Sequence, residues 1–145
     1  MSRISLSENG ASPWERLLGH RPEILKPWIA LEEAFFSSDT FSPELREQVR
    51  RTLAFGHGCT YCMAKAGQPD EHQPDLRVSL AVGCAQLFAR NHRDMDDSVF
   101  DVLKTAFSDR EISELFAFMA FLSASQMFGA ALGLQSRETY ERASG

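Results

Sequence analysis

Apolar residues recur along most of the chain at spacings of three and four, and no alternating β-branched run is long enough for a strand, so the pattern predicts an all-α protein. A short first helix is expected from about Ser12 to His20. A second, from about Pro22 to Phe36, carries an apolar stripe of Ile24, Leu25, Trp28, Leu31 and Phe35, with Pro27 as a possible kink. Ser42 and Pro43 open a third as N-cap and first helical residue. Leu45, Val49 and Leu53 follow on one face, and a stop is expected near Gly56 or Gly58. A short fourth helix begins at Cys59 and ends near Gly67, before the turn-rich stretch GQPDEHQP. The fifth, from about Pro74 to Asn91, is expected to bury Leu76, Leu80, Cys84, Leu87 and Phe88. A shorter one carries Val99, Val102, Leu103 and Ala106. The last starts at Ser108, which with Glu111 has the form of a capping box, and Gly133 is its expected stop. The count is six, or seven if the short first turn is separate. No internal repeat or low-complexity segment interrupts the succession.

A chain of 145 residues with 43% hydrophobic content supplies one core, so residues 1–145 read as one domain with peripheral tails at 1–11 and 134–145. The formal charge of −5 and pI near 5.3, with scattered Lys and Arg, speak against a nucleic-acid or anionic-membrane surface. The opening lacks a basic n-region followed by an apolar run, so the expectation is a cytoplasmic protein rather than a secreted one. Leu115 to Ser136 is uncharged over a spanning length, but Gln126, Ser123 and Ser125 interrupt it and no aromatic belt flanks it. A buried core or interface helix is expected, not a membrane span.

Three cysteines are too few for a secreted disulfide framework, and a close pair in a reducing compartment reads as catalytic or metal-binding. Cys59 and Cys62 stand at a predicted helix start, where free N–H groups and the helix dipole stabilise a thiolate and the second cysteine is within disulfide reach. Such a pair can react with a peroxide or disulfide and resolve internally. Glu47, on the preceding helix, is the candidate base if that helix folds back over the cysteines. A solvated surface carboxylate paired with Arg50 or Arg51 is the alternative. His57, Cys59, Cys62 and His72 form a possible zinc set, though their spacing matches no common structural site. Cys84 falls in an apolar stripe and reads as core. The tryptophans and phenylalanines also read as core or subunit interface, with Phe55 or Trp28 as a possible wall of the site.

Glu47, eleven residues, and then Cys59-Thr-Tyr-Cys62 resemble the motif of the alkylhydroperoxidase D and carboxymuconolactone decarboxylase superfamily. The helix PEILKPWIALEEAF, the apolar helix after the cysteines and FSDREISELFAFMAF extend the likeness over most of the chain. The resemblance implies an all-α fold that forms homo-oligomers. It also implies a thiol-dependent peroxidase or disulfide reductase, acting on hydroperoxides or disulfides with a thiol or protein reductant; the sequence indicates no bound metal or organic cofactor. By the same analogy Cys62 is the peroxidatic thiol, Cys59 is the more exposed resolving thiol that meets the reductant, and Glu47 draws a proton from Cys62 through a histidine. The position for that histidine is Ala66, so the relay is interrupted. His57 is the substitute candidate, with Lys65 as an electrostatic aid and Tyr61 as a neighbour. Two other readings stay open. One is a decarboxylase-like enzyme using Arg46, Arg50, Arg51 and His57 toward carboxylates, and the other is a helical interaction protein without turnover.

Overall fold

The computed structural model describes residues 1–73 and 75–136. Among these it contains seven α-helices, one 3₁₀ turn and no strand. The helices are α1 (Pro13–Leu18), α2 (Pro22–Ser37), α3 (Pro43–His57), α4 (Thr60–Ala66), α5 (Leu76–Asn91), α6 (Asp97–Leu103) and α7 (Asp109–Ala131), with the 3₁₀ turn at His92–Asp94. Pro74 and the expected polar tail from Arg137 onward lie outside the described residues.

Local signals set most boundaries. Ser12, Ser42, Asp75, Asp96 and Ser108 each accept a backbone N–H from the first turn of the helix that follows, which satisfies donors the helix leaves free. Gly58 ends α3 at φ 65°, a left-handed conformation that a side chain would disfavour, and the chain turns there directly into α4. At Ser108 only half of the expected capping box forms. Ser108 Oγ accepts from Glu111 N at 3.2 Å, while Glu111 reaches outward to Arg77 at 2.9 Å. Arg77 also donates to Ala106 O at 2.6 Å and lies over the Phe107 ring, so one side chain ties α5 to the α6–α7 connection and to α7.

The main core is a layer in which α3 packs on both α5 and α7, built from Leu45, Val49, Leu53, Val78, Ala81, Cys84, Leu115, Phe118 and Met119. Gly56 allows α3 and α5 to approach closely, since a Cβ there would stand 2.5 Å from Ala89 Cβ. Helix α7 is long and apolar enough to cross a membrane by length and composition, yet half of its apolar window is buried inside the chain, as expected of a core helix. The expected stripes need two corrections. Leu76 is 67% exposed because α5 turns Val78, Ala81, Val82 and Ala85 inward, and Ile24 and Leu31 on α2 are also exposed while Trp28 and Phe35 pack inward.

The loop after α4 is fixed by a buried amide. Gln48 donates to Asp70 Oδ2 at 2.8 Å, and its Oε1 accepts from Asp70 N at 2.9 Å and Gln73 Nε2 at 3.1 Å. The polar 68–73 segment is thus held against α3.

Candidate active site

Cys59 is the N-cap of α4, and its sulfur accepts the N–H of Cys62 at 3.3 Å. The two cysteines form a disulfide. A sulfur in this capping place receives partial positive charge from the helix start, which favours its thiolate when the bond is reduced.

The two sulfurs meet different surroundings. Cys59 is fully buried in a small second core with Leu17, Tyr61 and Leu134, bordered by Leu6, Trp14 and Phe128. Gly129 on α7 makes room for it, since a Cβ there would stand 3.1 Å from Cys59 Sγ. Above this core, Arg3 binds the end of α7 through N to Leu132 O at 2.7 Å and Nη1 to Ala131 O at 3.0 Å. Cys62 is partly exposed and lines a cleft of about 160 Å³. The resemblance implied the reverse exposure. The correction follows from α1, the N-terminal segment and the residues after α7, which together close over Cys59.

The cleft has an apolar wall of Trp14, Trp28, Phe121 and Leu122. Trp14 Nε1 donates to Ser125 O at 2.9 Å and Trp28 Nε1 to Ser125 Oγ at 3.2 Å, so α7 fixes both indoles. Arg50, Lys65, Glu15 and Glu32 bring two cationic and two anionic groups to the same cleft, together with Tyr61 and Gln126. Trp28 is therefore a wall of the site as considered from sequence, whereas Phe55 does not line it.

Glu47 does not line the cleft. Its carboxylate accepts from Arg50 Nε at 3.0 Å and Nη2 at 2.5 Å, and from Arg51 Nε at 3.2 Å. Burial alone would push its pKa up, but the hydrogen bonds and charges of Arg50 and Arg51 outweigh that and hold it below the usual value. What Glu47 does in this geometry is orient Arg50, whose Nη1 makes no hydrogen bond among the described residues.

His57 is turned to α7, where Nε2 lies 2.8 Å from Ser123 Oγ, and burial lowers its pKa. It does not line the cleft with Cys62. Ala66 is buried and offers no proton carrier. Arg46 is committed to the carbonyls of Ser38 and Phe41, and Arg51 to Glu47 and Asp70. Among the described residues no three His, Cys, Asp or Glu side chains gather into a group that could hold a metal, so the possible zinc set is not assembled. Cys84 is buried in the main core, which pushes its thiol up to about 12. Sequence reasoning used Gln126 only as an interruption of an apolar run, and Arg50 as a surface partner of Glu47 or one of several cations toward carboxylates. Their shared place in the cleft depends on α3 packing against α7, which no local pattern announces.

No protein-family model and no curated protein matches the sequence. Solved structures do match. A peroxidase-related protein from Silicibacter sp. TM1040 superposes with a TM-score of 0.77 at 16% identity, covering 87% of this chain and 76% of that one. An uncharacterized peroxidase-related protein with an alkylhydroperoxidase core from Ralstonia eutropha JMP134 gives 0.71 at 16% identity, covering 86% and 76%. A protein of unknown function from Agrobacterium tumefaciens, described as a candidate antioxidant defence protein of the alkylhydroperoxidase D kind, gives 0.74 at 16% identity, covering 94% and 98%. The chain has the alkylhydroperoxidase D-like fold, with a Cys-X-X-Cys pair at the start of its fourth helix.

Proposed function

We propose that this protein is a thiol-dependent hydroperoxidase of the alkylhydroperoxidase D-like kind, in which Cys62 is the sulfur that both the oxidant and the reductant meet. The observation that carries this reading is the contrast between a cleft-lining Cys62 and a fully buried Cys59 in one Cys-X-X-Cys.

The Cys62 thiolate attacks the terminal oxygen of ROOH, the O–O bond breaks, and its electron pair leaves on RO⁻, which takes a proton to give ROH. Cys62 is left as a sulfenic acid, oxidised by two electrons. The Cys59 sulfur attacks Cys62, an S–S bond forms and the oxygen departs as water after protonation. A dithiol reductant then attacks Cys62, Cys59 leaves as a thiolate capping α4, and the second thiol of the reductant completes the return of two electrons. The leaving place is favourable because the Cys62 N–H already points at Cys59 Sγ.

Among the described residues no imidazole lines the cleft. Activation of Cys62 rests instead on electrostatics, since Arg50 and Lys65 face the cleft and favour the thiolate, whose proton goes to water. The apolar wall suits the R group of the hydroperoxide. Glu15 and Glu32 match the two cations in number, which leaves the decarboxylase-like alternative without an excess of positive charge for a dicarboxylate. Assembly into homo-oligomers and a cytoplasmic setting belong to this reading, and the exposed Ile24 and Leu31 on α2 support the first.

The test is mass-detected alkylation of the reduced protein after one equivalent of an organic hydroperoxide. Loss of two thiols as one disulfide, far faster than a free thiol reacts and absent in Cys62→Ser, supports the proposal. A rate equal to that of a free thiol would move the interaction-protein reading to the front.

A further inference from the structure

Gln126 is 4% exposed, lies on the buried side of α7 and lines the Cys62 cleft. Its Nε2 donates to Arg50 O at 3.3 Å, and because a carbonyl can only accept, this bond fixes which way the amide faces. Its Oε1 is buried and has no hydrogen-bond partner among the described residues. A buried acceptor left without a donor is destabilising, and most such oxygens in folded proteins are satisfied. The other polar groups that α7 brings to this region are already committed, Ser125 to the two indoles and Ser123 to His57. Gln126 thus brings an unfilled, covered acceptor to the border of a cleft that has an apolar wall of Trp14, Trp28 and Phe121, a charged side with Arg50 and Lys65, and a sulfur as its reactive atom.

We infer that Gln126 Oε1 accepts the O–H of the hydroperoxide substrate and of its alcohol product, and so selects ligands that carry one hydroxyl donor on an apolar body. The inference rests on the hydroperoxidase reading for its substrate, but the hydrogen bond itself does not. In ROOH the only hydrogen on oxygen is on the terminal oxygen, the one the thiolate attacks. Accepting that hydrogen orients the terminal oxygen in the cleft that Cys62 lines and directs the R group to Trp14, Trp28 and Phe121. The departing RO⁻ then develops in the cleft that Arg50 shares. A dialkyl peroxide lacks the hydrogen, and it leaves Oε1 desolvated and unpaired, so the site discriminates against it.

The test uses the disulfide form, which has no free thiol in the cleft to react, and 2-phenyl-2-propanol, the alcohol left when cumene hydroperoxide is reduced. Binding is followed by NMR titration beside the methyl ether of the same alcohol. The alcohol should bind at least about tenfold more tightly than the ether in the unaltered chain, with the Gln126 side-chain carbonyl shifting on titration, and Gln126→Met should erase that preference. Equal affinity for alcohol and ether, or no binding of either, would overturn the inference, as would a preference that survives Gln126→Met. The comparison within the unaltered chain decides the matter even where Gln126→Met does not fold. Slow thiol oxidation together with a Gln126-dependent alcohol preference would sink the hydroperoxidase reading and leave this binding site standing.

Discussion

Replacing Glu47 by Gln separates two accounts of this site. If Glu47 is the base of a relay to Cys62, removing its charge should lower the rate of Cys62 oxidation by about a hundredfold to ten-thousandfold, the ordinary contribution of a general base. In the geometry found here Glu47 is bound to Arg50 through two hydrogen bonds and to Arg51 through one, and stands outside the cleft. Glutamine keeps an oxygen for Arg50 and the orientation of the guanidinium, so the oxidation rate should fall by less than about tenfold. Stability should also change little. The Glu47 side chain is 33% exposed, and solvent screening at that exposure limits the ion pairs to about 0.5–1 kcal/mol, or roughly 1–4 °C in the thermal midpoint of a chain this size. The pH dependence has a definite sign. The folded pKa lies below the usual carboxylate value of 4.5, so the contribution is complete above that pH and is lost as pH falls through the folded value. Stopped-flow oxidation and acid-dependent melting of Glu47→Gln measure both effects. A rate loss of a hundredfold or more with an unchanged melting curve would refute the anchor role and restore the relay.

Three further outcomes follow from the same contacts. Burial lowers the folded pKa of His57 below 6.5, so its protonation opposes folding. The thermal midpoint should fall from about pH 7.5 to about pH 5, and His57→Asn should flatten that slope, whereas an unchanged slope would contradict the burial argument. Gly129→Ala places a methyl 3.1 Å from Cys59 Sγ and should cost about 1–3 kcal/mol by overpacking in chemical denaturation, with a shift in the reduction potential of the pair. An unaltered potential would mean the capping sulfur relaxes freely. Gln48→Leu strips three hydrogen bonds from the 68–73 loop and should cost about 1–3 kcal/mol, with limited proteolysis opening that loop first. Cleavage elsewhere would show that Gln48 does not hold it.

What could be read from the sequence was local. Ser42 with Pro43, Ser108 and the Gly58 stop depend on a few adjacent residues, and the helices start and end where those residues place them. The Cys-X-X-Cys at a helix start was legible for the same reason, as was Cys84 in the core. Burial was harder to read where a stripe could turn either way. Leu76 and Leu31 look like core in a one-dimensional pattern, but α5 buries Val78 and Ala81 and α2 buries Leu25. The orientation of the cysteine pair was not legible at all. Which sulfur is covered depends on Leu17, Gly129 and Leu134, far from the pair in sequence, and on an N-terminal segment expected to be peripheral that instead binds the end of α7. The motif resemblance implied the reverse exposures for Cys59 and Cys62, because spacing carries no information about what packs over a helix start.

The most direct test of the account compares Cys59→Ser with Cys62→Ser, both reduced, in their second-order oxidation by cumene hydroperoxide with trapping of the sulfenic acid. Serine is itself a favoured N-cap, so Cys59→Ser keeps the start of α4 intact. The account predicts that Cys59→Ser reacts within about threefold of the unaltered protein and accumulates a trapped sulfenic acid on Cys62, while Cys62→Ser reacts no faster than a free thiol. Fast oxidation and trapping on Cys59 in the Cys62→Ser protein would contradict it.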